Sequence, residues 1–270
     1  MKQPIYMLIK PDDKQKAELT DLWHRVFGDS YDYIALVFES GADIFVKEKD
    51  GLIVSVLYLL DCNLSFDGRI YKGKYLYAAA TDSRYRNMGI MAELISEAGD
   101  YCLEGGYDFI SLLPADDGLY GYYAKFGYKK AMYRCRTSVD GRASSDLSES
   151  ISGKEYFSQR NKLKCNFITF TDKALGYAIS CLEYSSCSFR KTGADTFFIV
   201  NEDNTVYEEV LSFGDNADLP VRSGGCITAY CTASENAEAE YESFGMLLPL
   251  SRELERDWKH TDIYMNIALD

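Results

Sequence analysis

The chain has 270 residues, an apolar share of 47% and a formal net charge of −13 at pH 7. This length exceeds the usual size of one hydrophobic core and predicts about two domains. With 42 acidic against 29 basic residues, the composition argues against a surface that neutralises phosphate backbones, so nucleic acid is not expected as a partner. The acidity is typical of a soluble protein, and it would also attract a cationic amine.

The cysteines and histidines form no metal-binding pattern. Eight cysteines occur without a CxxC pair, and the chain has two histidines, so no metal site is predicted. The sequence has neither the pattern of a secretory leader nor an apolar run long enough for a membrane span. We therefore expect a cytoplasmic protein with reduced thiols and no membrane association.

The first elements alternate between strand and helix. Residues 5–9 predict a strand, and Pro11 marks the start of a helix. An apolar stripe with helical spacing follows, formed by Leu19, Leu22, Trp23, Val26 and Phe27. Gly28 is expected to end this helix as its C-cap, and residues 31–38 predict a second, short helix.

An antiparallel meander comes next. Asp-Gly turns at 50–51 and 67–68 separate predicted strands at 44–46, 52–60 and 75–80. The apolar period then changes to 3.6 in a helix that carries Ile90, Met91, Leu94, Ile95, Ala98 and Cys102 on one face. A strand at 109–113, a short helix at 119–125 and a strand at 128–133 complete this unit.

The remaining sequence predicts a second domain. Residues 137–153 are rich in serine, glycine and acidic residues, which is typical of a linker or surface loop. Beyond them, strands are predicted at 167–170, 196–200, 206–213 and 227–230, with a helix at 173–184. We expect domains at 1–136 and 155–270 joined by 137–154, and a mixed α/β (α+β) fold class.

The segment 78–91 carries the strongest chemical signal. A strand ends there and a helix begins across a basic turn that contains Gly89. Backbone N–H groups that converge at a helix N-terminus, together with the helix dipole, suit a pyrophosphate. The same strand, turn and helix also occur in α/β proteins that bind no ligand.

Two motifs resemble the GNAT family of N-acetyltransferases. Arg86–Met91 matches the family's acetyl-CoA loop, Arg/Gln-x-x-Gly-x-Gly/Ala, although Met91 stands where a small residue is usual. Downstream, Tyr120–Tyr128 resembles the family's Tyr-x-x-x-Gly-Phe/Tyr element, with Tyr123 on the family's tyrosine. The resemblance implies the GNAT acyl-CoA acyltransferase fold over about residues 1–136.

This resemblance also implies a co-substrate, acetyl-CoA, and residues that hold it. Main-chain groups of Ala80 and Thr81 would contact the pantetheine arm. The N–H groups of the loop would hold the pyrophosphate, namely those of Arg86, Asn87, Met88, Gly89, Ile90 and Met91. Tyr123 would protonate the departing thiolate, since a phenol with a pKa near 10 suits this task. Its alternative role is that of a core aromatic residue.

The opening segment 22–30 and the closing segment 264–270 look like two-domain bacterial relatives of the enhanced-intracellular-survival acetyltransferases. That resemblance implies that Asp270, the terminal residue, is a candidate base, and that 155–270 is a degenerate GNAT-like or sterol-carrier-like unit. No carboxylate lies within residues 75–81, so the base stays unassigned, with Asp82, Asp116 and Asp117 as other candidates.

The function expected from the resemblance is transfer of an acetyl group from acetyl-CoA to a primary amine by direct attack. The acceptor would be a small molecule or a peptide, and a homo-oligomer is compatible with the sequence. The alternative is a catalytically inactive acyl-CoA sensor or interaction scaffold, which Met91 and the strand without a carboxylate would favour. A lipid carrier in the second domain is a third alternative.

Overall fold

The computed structural model describes residues 7–143, 148–202, 206–212, 221–231, 240–258, 263–265 and 269. The chain forms two compact units that are discontinuous in sequence. Unit 1 consists of 1–130, 170–177 and 245–261, and unit 2 consists of 131–169, 178–244 and 262–270. The domain boundaries predicted at 1–136, 137–154 and 155–270 stay a prediction.

The elements of the first half follow the predicted order. They are β1 (Leu8–Ile9), α1 (Asp13–Phe27), α2 (Tyr31–Ala35), β2 (Asp43–Lys49), β3 (Leu52–Phe66), β4 (Arg69–Thr81), α3 (Ile90–Glu104), β5 (Phe109–Leu112) and α4 (Asp117–Ala124). Short 3₁₀ segments lie at Leu36–Glu39 and Ser83–Tyr85.

The second half contains more elements than the sequence pattern predicted. They are β6 (Lys129–Ala143), β7 (Glu149–Ser150), α5 (Gly153–Arg160), β8 (Phe167–Phe170), α6 (Asp172–Tyr184), β9 (Ser188–Thr192), β10 (Thr196–Val200), β11 (Val206–Ser212), β12 (Val221–Cys231), β13 (Glu240–Pro249), α7 (Arg252–Asp257) and β14 (Ile263–Tyr264).

The ends of α1 are fixed by its caps. Asp12 accepts a hydrogen bond from the backbone N–H of Gln15, whose side chain bonds back to Asp12, so a capping box starts the helix. Pro11 thus precedes the cap instead of occupying the first helical turn. Gly28, at φ +86°, ends the helix as predicted, since a glycine adopts this left-handed conformation without strain.

The meander is longer than the hydrophobic pattern indicated. Residues 67 and 68 both have positive φ, as a two-residue type I′ turn requires. The strands β3 and β4 pair from Phe66 opposite Arg69, next to the turn, to Ser55 opposite Thr81. The predicted strands covered only 52–60 and 75–80, because polar residues near the turn interrupt the apolar run. Backbone pairing across the hairpin continues through them.

The described strands of unit 1 form a sheet in the order β1-β2-β3-β4-β5-β13. Its neighbours are antiparallel except for the parallel pair β4–β5. On one face, α3 packs over the central strands through a buried cluster that includes Phe45, Leu57, Leu59, Leu76, Leu94, Ile95, Ile110, Tyr123 and Tyr128. This face of the sheet positions the site described below.

Unit 2 has its own strand order, β6-β12-β11-β10-β9-β7, with β14 beside β6 and β8. β6 continues to Ala143 because it pairs antiparallel with β12, from Cys135 opposite Cys231 to Ala143 opposite Val221. Part of the segment predicted as a linker therefore forms strand, although its composition is polar. Backbone hydrogen bonds to β12 do not depend on apolar side chains.

A buried ion pair lies in the core of unit 2. Arg160 and Glu209 are 1% and 0% exposed, and Nε of Arg160 lies 3.0 Å from Oε1 of Glu209. The hydroxyls of Tyr156 and Tyr264 each donate to Glu209 at 2.9 Å. Arg160 also donates to the carbonyl oxygen of Ile168 at 2.8 Å. Both carboxylate oxygens thus have partners, which a buried charge requires.

Replacing Arg160 by Met should destabilise the protein by about 3–5 kcal/mol, because Glu209 would remain buried without its counter-ion. Urea unfolding followed by circular dichroism measures this change. Lys191→Met is the matched control, since it removes a cation from the more exposed Lys191–Glu149 pair of the same unit. It should cost less than about 1 kcal/mol. Equal losses in the two variants would contradict the prediction.

Candidate functional site

The parallel strands β4 and β5 separate at one end. They pair from Gly73 opposite Phe109 to Leu76 opposite Leu112, where β5 ends. β4 continues to Thr81. Pro114 follows β5, and a proline has no N–H with which to extend the ladder. Residues 77–81 of β4 therefore run beyond the end of their parallel neighbour, which leaves a gap at the carboxyl end of the pair.

A bulge at Ala78 changes which side chains face the gap. Ala78 has φ +46°, and the pairing of β3 with β4 shifts between Val56 and Tyr58. Leu76 and Ala79 consequently face the same core although they are three residues apart. In a regular strand, residues at this spacing point to opposite faces. The bulge thus directs Ala79 toward the gap.

A cavity of about 610 Å³ opens beside this gap. It lies between the end of β4, the start of α3 and the helix α4. Its walls are formed by Val26, Ala79, Thr81, Tyr85, Arg86, Asn87, Gly89, Ile90, Met91, Ala92, Leu119, Tyr122 and Tyr123. A size of this order suits a small-molecule ligand.

The first turn of α3 contributes backbone N–H groups to the cavity wall. Gly89, at φ +80°, is its N-cap and provides no side-chain cap, and Asn87 also has positive φ. The first main-chain bond into this helix runs from the N–H of Glu93 to the carbonyl of Gly89. The N–H groups of residues 90–92 have no acceptor within the helix, so they and the helix dipole favour an anion.

Tyr123 lies on α4 and lines the cavity, although the residue is only 7% exposed. Burial, with a smaller contribution from Tyr122, raises the pKa of Tyr123 to about 12. Its ring packs edge-on against Tyr122 at 5.4 Å and against Tyr128 at 5.9 Å. These contacts hold a protonated phenol at the cavity wall.

A second, smaller recess of about 350 Å³ adjoins the basic turn. It is lined by Arg25, Val26, Asp82, Ser83, Arg84 and Arg86, so Val26 and Arg86 line both cavities. Hydrogen bonds from the Arg84 side chain hold the pKa of Asp82 well below its usual range, against the opposing effect of burial. A carboxylate held in this way is a weak base.

Seven of the residues predicted to form the site line the larger cavity: Thr81, Arg86, Asn87, Gly89, Ile90, Met91 and Tyr123. Ala80 is buried, and its carbonyl accepts a hydrogen bond from Ser55 Oγ at 3.0 Å. Met88 is 59% exposed and does not contribute to the wall. Asp270 lies outside the described residues. The roles assigned to these residues stay predictions.

Sequence reasoning missed part of the cavity wall. Ala79, and not the predicted Ala80, lines the cavity because of the bulge at Ala78. No local sequence pattern predicts this bulge. Tyr85 directly precedes the motif, whereas Leu119 and Val26 come from distant helices. Asp116, one candidate base, accepts a hydrogen bond from the backbone N–H of Leu119 as the N-cap of α4.

The parallel pair that separates at its carboxyl end, with a helix starting beside the gap, is consistent with the GNAT acyl-CoA acyltransferase fold that the sequence motifs predicted. Residues 8–131 match the sequence model of the family described as an acetyltransferase (GNAT) domain. These residues form a GNAT acetyltransferase domain. The predicted family and the predicted mixed α/β fold are confirmed.

Solved structures share this fold over most of the chain. Eis1 from Mycobacterium abscessus has a TM-score of 0.69 at 10% identity, covering 92% of this chain and 74% of that one. The GCN5-related N-acetyltransferase from Kribbella flavida has 0.66 at 14%, covering 91% and 72%. That from Anabaena variabilis has 0.66 at 15%, covering 92% and 73%. No curated protein is significantly similar in sequence.

The described part of the chain contains no helix with the length and apolarity that a membrane span needs. It also contains no group of three or more histidine, cysteine or acidic side chains arranged to hold a metal ion.

Gly89 and Gly99 provide a test of the backbone at the start of α3. A Cβ at either position would meet nothing within 4 Å, but only Gly89 has positive φ. Gly89→Ala should therefore lower the free energy of unfolding by about 1–2 kcal/mol through backbone strain alone. Gly99→Ala, inside the same helix, should raise it by about 0.5–1 kcal/mol. Urea unfolding measures both, and effects of the same sign would contradict the assigned backbone.

Proposed function

We propose that this protein transfers an acetyl group from acetyl-CoA to a primary amine by direct attack on the thioester. One observation carries the proposal: the end of β4 that runs beyond β5, the first turn of α3 and Tyr123 all line one cavity. These are the groups needed to hold a pantetheine arm, a pyrophosphate and a departing thiolate. The GNAT domain supports acetyl transfer in general.

The donor would lie along the gap between β4 and β5. Main-chain groups of residues 79–81 run past the end of β5 and can bond to the amides of a pantetheine arm. The N–H groups at the start of α3 suit its pyrophosphate. Met91 lines the cavity and also packs on the core cluster, so it is compatible with a bound donor.

Acetyl-CoA supplies a thioester, whose carbonyl carbon the amine attacks and from which a thiolate leaves. Tyr123 is the proposed proton donor to that thiolate. Its phenol is protonated at neutral pH, and burial raises its pKa to about 12. Tyr122 is a second phenol in the same wall, with a pKa that burial also raises. General acid catalysis of this kind is worth about 10²–10⁴-fold in rate.

The acceptor in this proposal is a small-molecule or peptide amine, which the net charge of −13 would attract. Asp82 is a poor candidate base because of its arginine partners, and Asp116 serves as a helix cap. Removal of the amine proton is therefore assigned to neither of them, and water can relay it; Asp117, in the first turn of α4, stays a candidate base. We also propose that the protein is a cytoplasmic, bacterial enzyme that needs no metal, nucleic acid or membrane.

Release of free thiol from acetyl-CoA, measured against a panel of cationic amines, tests this function. Tyr123→Phe should lower kcat at least about tenfold while acetyl-CoA binding persists, because only the hydroxyl is removed. Tyr122→Phe, the adjacent phenol in the same wall, should change kcat less than about threefold. Binding of acetyl-CoA without transfer to any amine would favour a sensor, and the absence of binding would refute the donor site.

The pH dependence gives an independent test. A tyrosine whose pKa is raised to about 12 is almost fully protonated two pH units lower, so Tyr123 should remain a donor throughout the range from 7 to 10. Over this range kcat/KM should rise as the acceptor amine loses its proton, since the pKa of a lysine-like amine is about 10.4. A fall in kcat/KM near pH 9 that disappears in Tyr123→Phe would contradict the assignment.

A further inference from the structure

The smaller recess concentrates positive charge in an acidic protein. Arg25 Nη2 lies 3.3 Å from Asp82 Oδ2, and Arg84 Nη2 lies 2.9 Å from the same oxygen. Two guanidinium groups thus share one carboxylate oxygen, and one positive charge is left without a counter-charge. Like charges held this close repel each other, and one carboxylate offsets this repulsion only in part.

Arg86 adds a third guanidinium group to this recess. Its Nε donates to the carbonyl oxygen of Thr81 at 3.1 Å, which fixes the side chain across the turn. Within the described residues no ion pair joins Arg86 to a carboxylate. The recess therefore has three positive charges and the single negative charge of Asp82, in a chain whose net charge is −13.

Asp82 also gives the recess a defined geometry. Both of its carboxylate oxygens accept from Arg84, Oδ1 from Nε at 3.0 Å and Oδ2 from Nη2 at 2.9 Å. The backbone N–H of Arg84 donates to Oδ1 as well. This planar, two-point contact orients Arg84, so its guanidinium group is held in place before any ligand arrives.

We propose that this recess binds a phosphate monoester dianion and that the 3′-phosphate of coenzyme A supplies it. The inference rests on the proposed function, because it extends the donor site from the cavity to the recess. Val26 and Arg86 line both spaces, so the recess adjoins the cavity that contains the proposed pyrophosphate site. In coenzyme A only a ribose ring separates these two phosphate groups.

The chemistry favours a dianion over a carboxylate. A phosphate monoester has about two negative charges and three acceptor oxygens at neutral pH. It can accept from several guanidinium groups at once, whereas a carboxylate balances only one of them. Arg25 and Arg84 are largely exposed, with side-chain exposures of 51% and 70%, so the contribution of each is reduced by solvent and depends on salt.

The test compares the affinities of coenzyme A and 3′-dephospho-coenzyme A, measured by isothermal titration calorimetry at fixed ionic strength. The wild-type protein should bind coenzyme A about tenfold or more tightly than the dephospho form. Arg25→Gln should lower this ratio about fivefold, mainly by weakening the binding of coenzyme A. The control is Arg256→Gln, an exposed arginine paired with Asp257 outside the recess, which should leave the ratio unchanged.

A wild-type ratio near one, or the same ratio in Arg25→Gln as in the wild type, would overturn the inference while leaving the proposed function intact. If neither ligand binds, the proposed donor site fails and this inference fails with it. Inorganic phosphate serves as a further probe. Binding of phosphate that depends on Arg25, together with a ratio near one, would overturn coenzyme A as the source of the phosphate.

Discussion

The main-chain groups at the end of β4 constrain the whole of unit 1. Backbone N–H and carbonyl groups that leave a sheet need other partners, from protein, water or a ligand. Here β5 stops at Leu112, so residues 77–81 of β4 keep the pairing with β3 but have no strand beside them on the β5 side. An alanine at φ +46° is strained, and this cost of about 1–2 kcal/mol is borne by the pairing and packing around it. The cavity is the direct consequence of this interrupted sheet.

The same short turn brings two kinds of anion-binding group together. The first turn of α3 offers backbone N–H groups, which bind an anion through geometry and the helix dipole. The arginines beside it offer full charges, and Asp82 holds two of them close to each other. An acidic protein that interacts with a polyanion needs such a local reversal of charge, because its overall field repels the ligand. Arg86 links the two regions, since it lines both cavities.

Unit 2 depends on a different kind of interaction. Its core contains the pair Arg160–Glu209, which two tyrosine hydroxyls and a carbonyl oxygen complete. Such a network contributes little net stability over an apolar core, but it tolerates few alternative arrangements because each missing partner leaves a buried charge. It also fixes β14, through Tyr264, beside α5 and β11. The network thus defines how the last described strand packs within its unit.

The sequence by itself determined the order of the elements in the first half of the chain and the family. The stripe on α1, the Asp-Gly turns and the motif at 86–91 are patterns of neighbouring residues, and the family they indicated is confirmed. Only the tertiary structure decided that Ala79 instead of Ala80 lines the cavity, that β6 extends to Ala143, and that Arg25 on α1 meets Arg84 at Asp82. Each of these depends on a bulge, on strand pairing or on contacts between distant residues. Local periodicity has no access to these features, because it reports the burial of one element and not the identity of its partner.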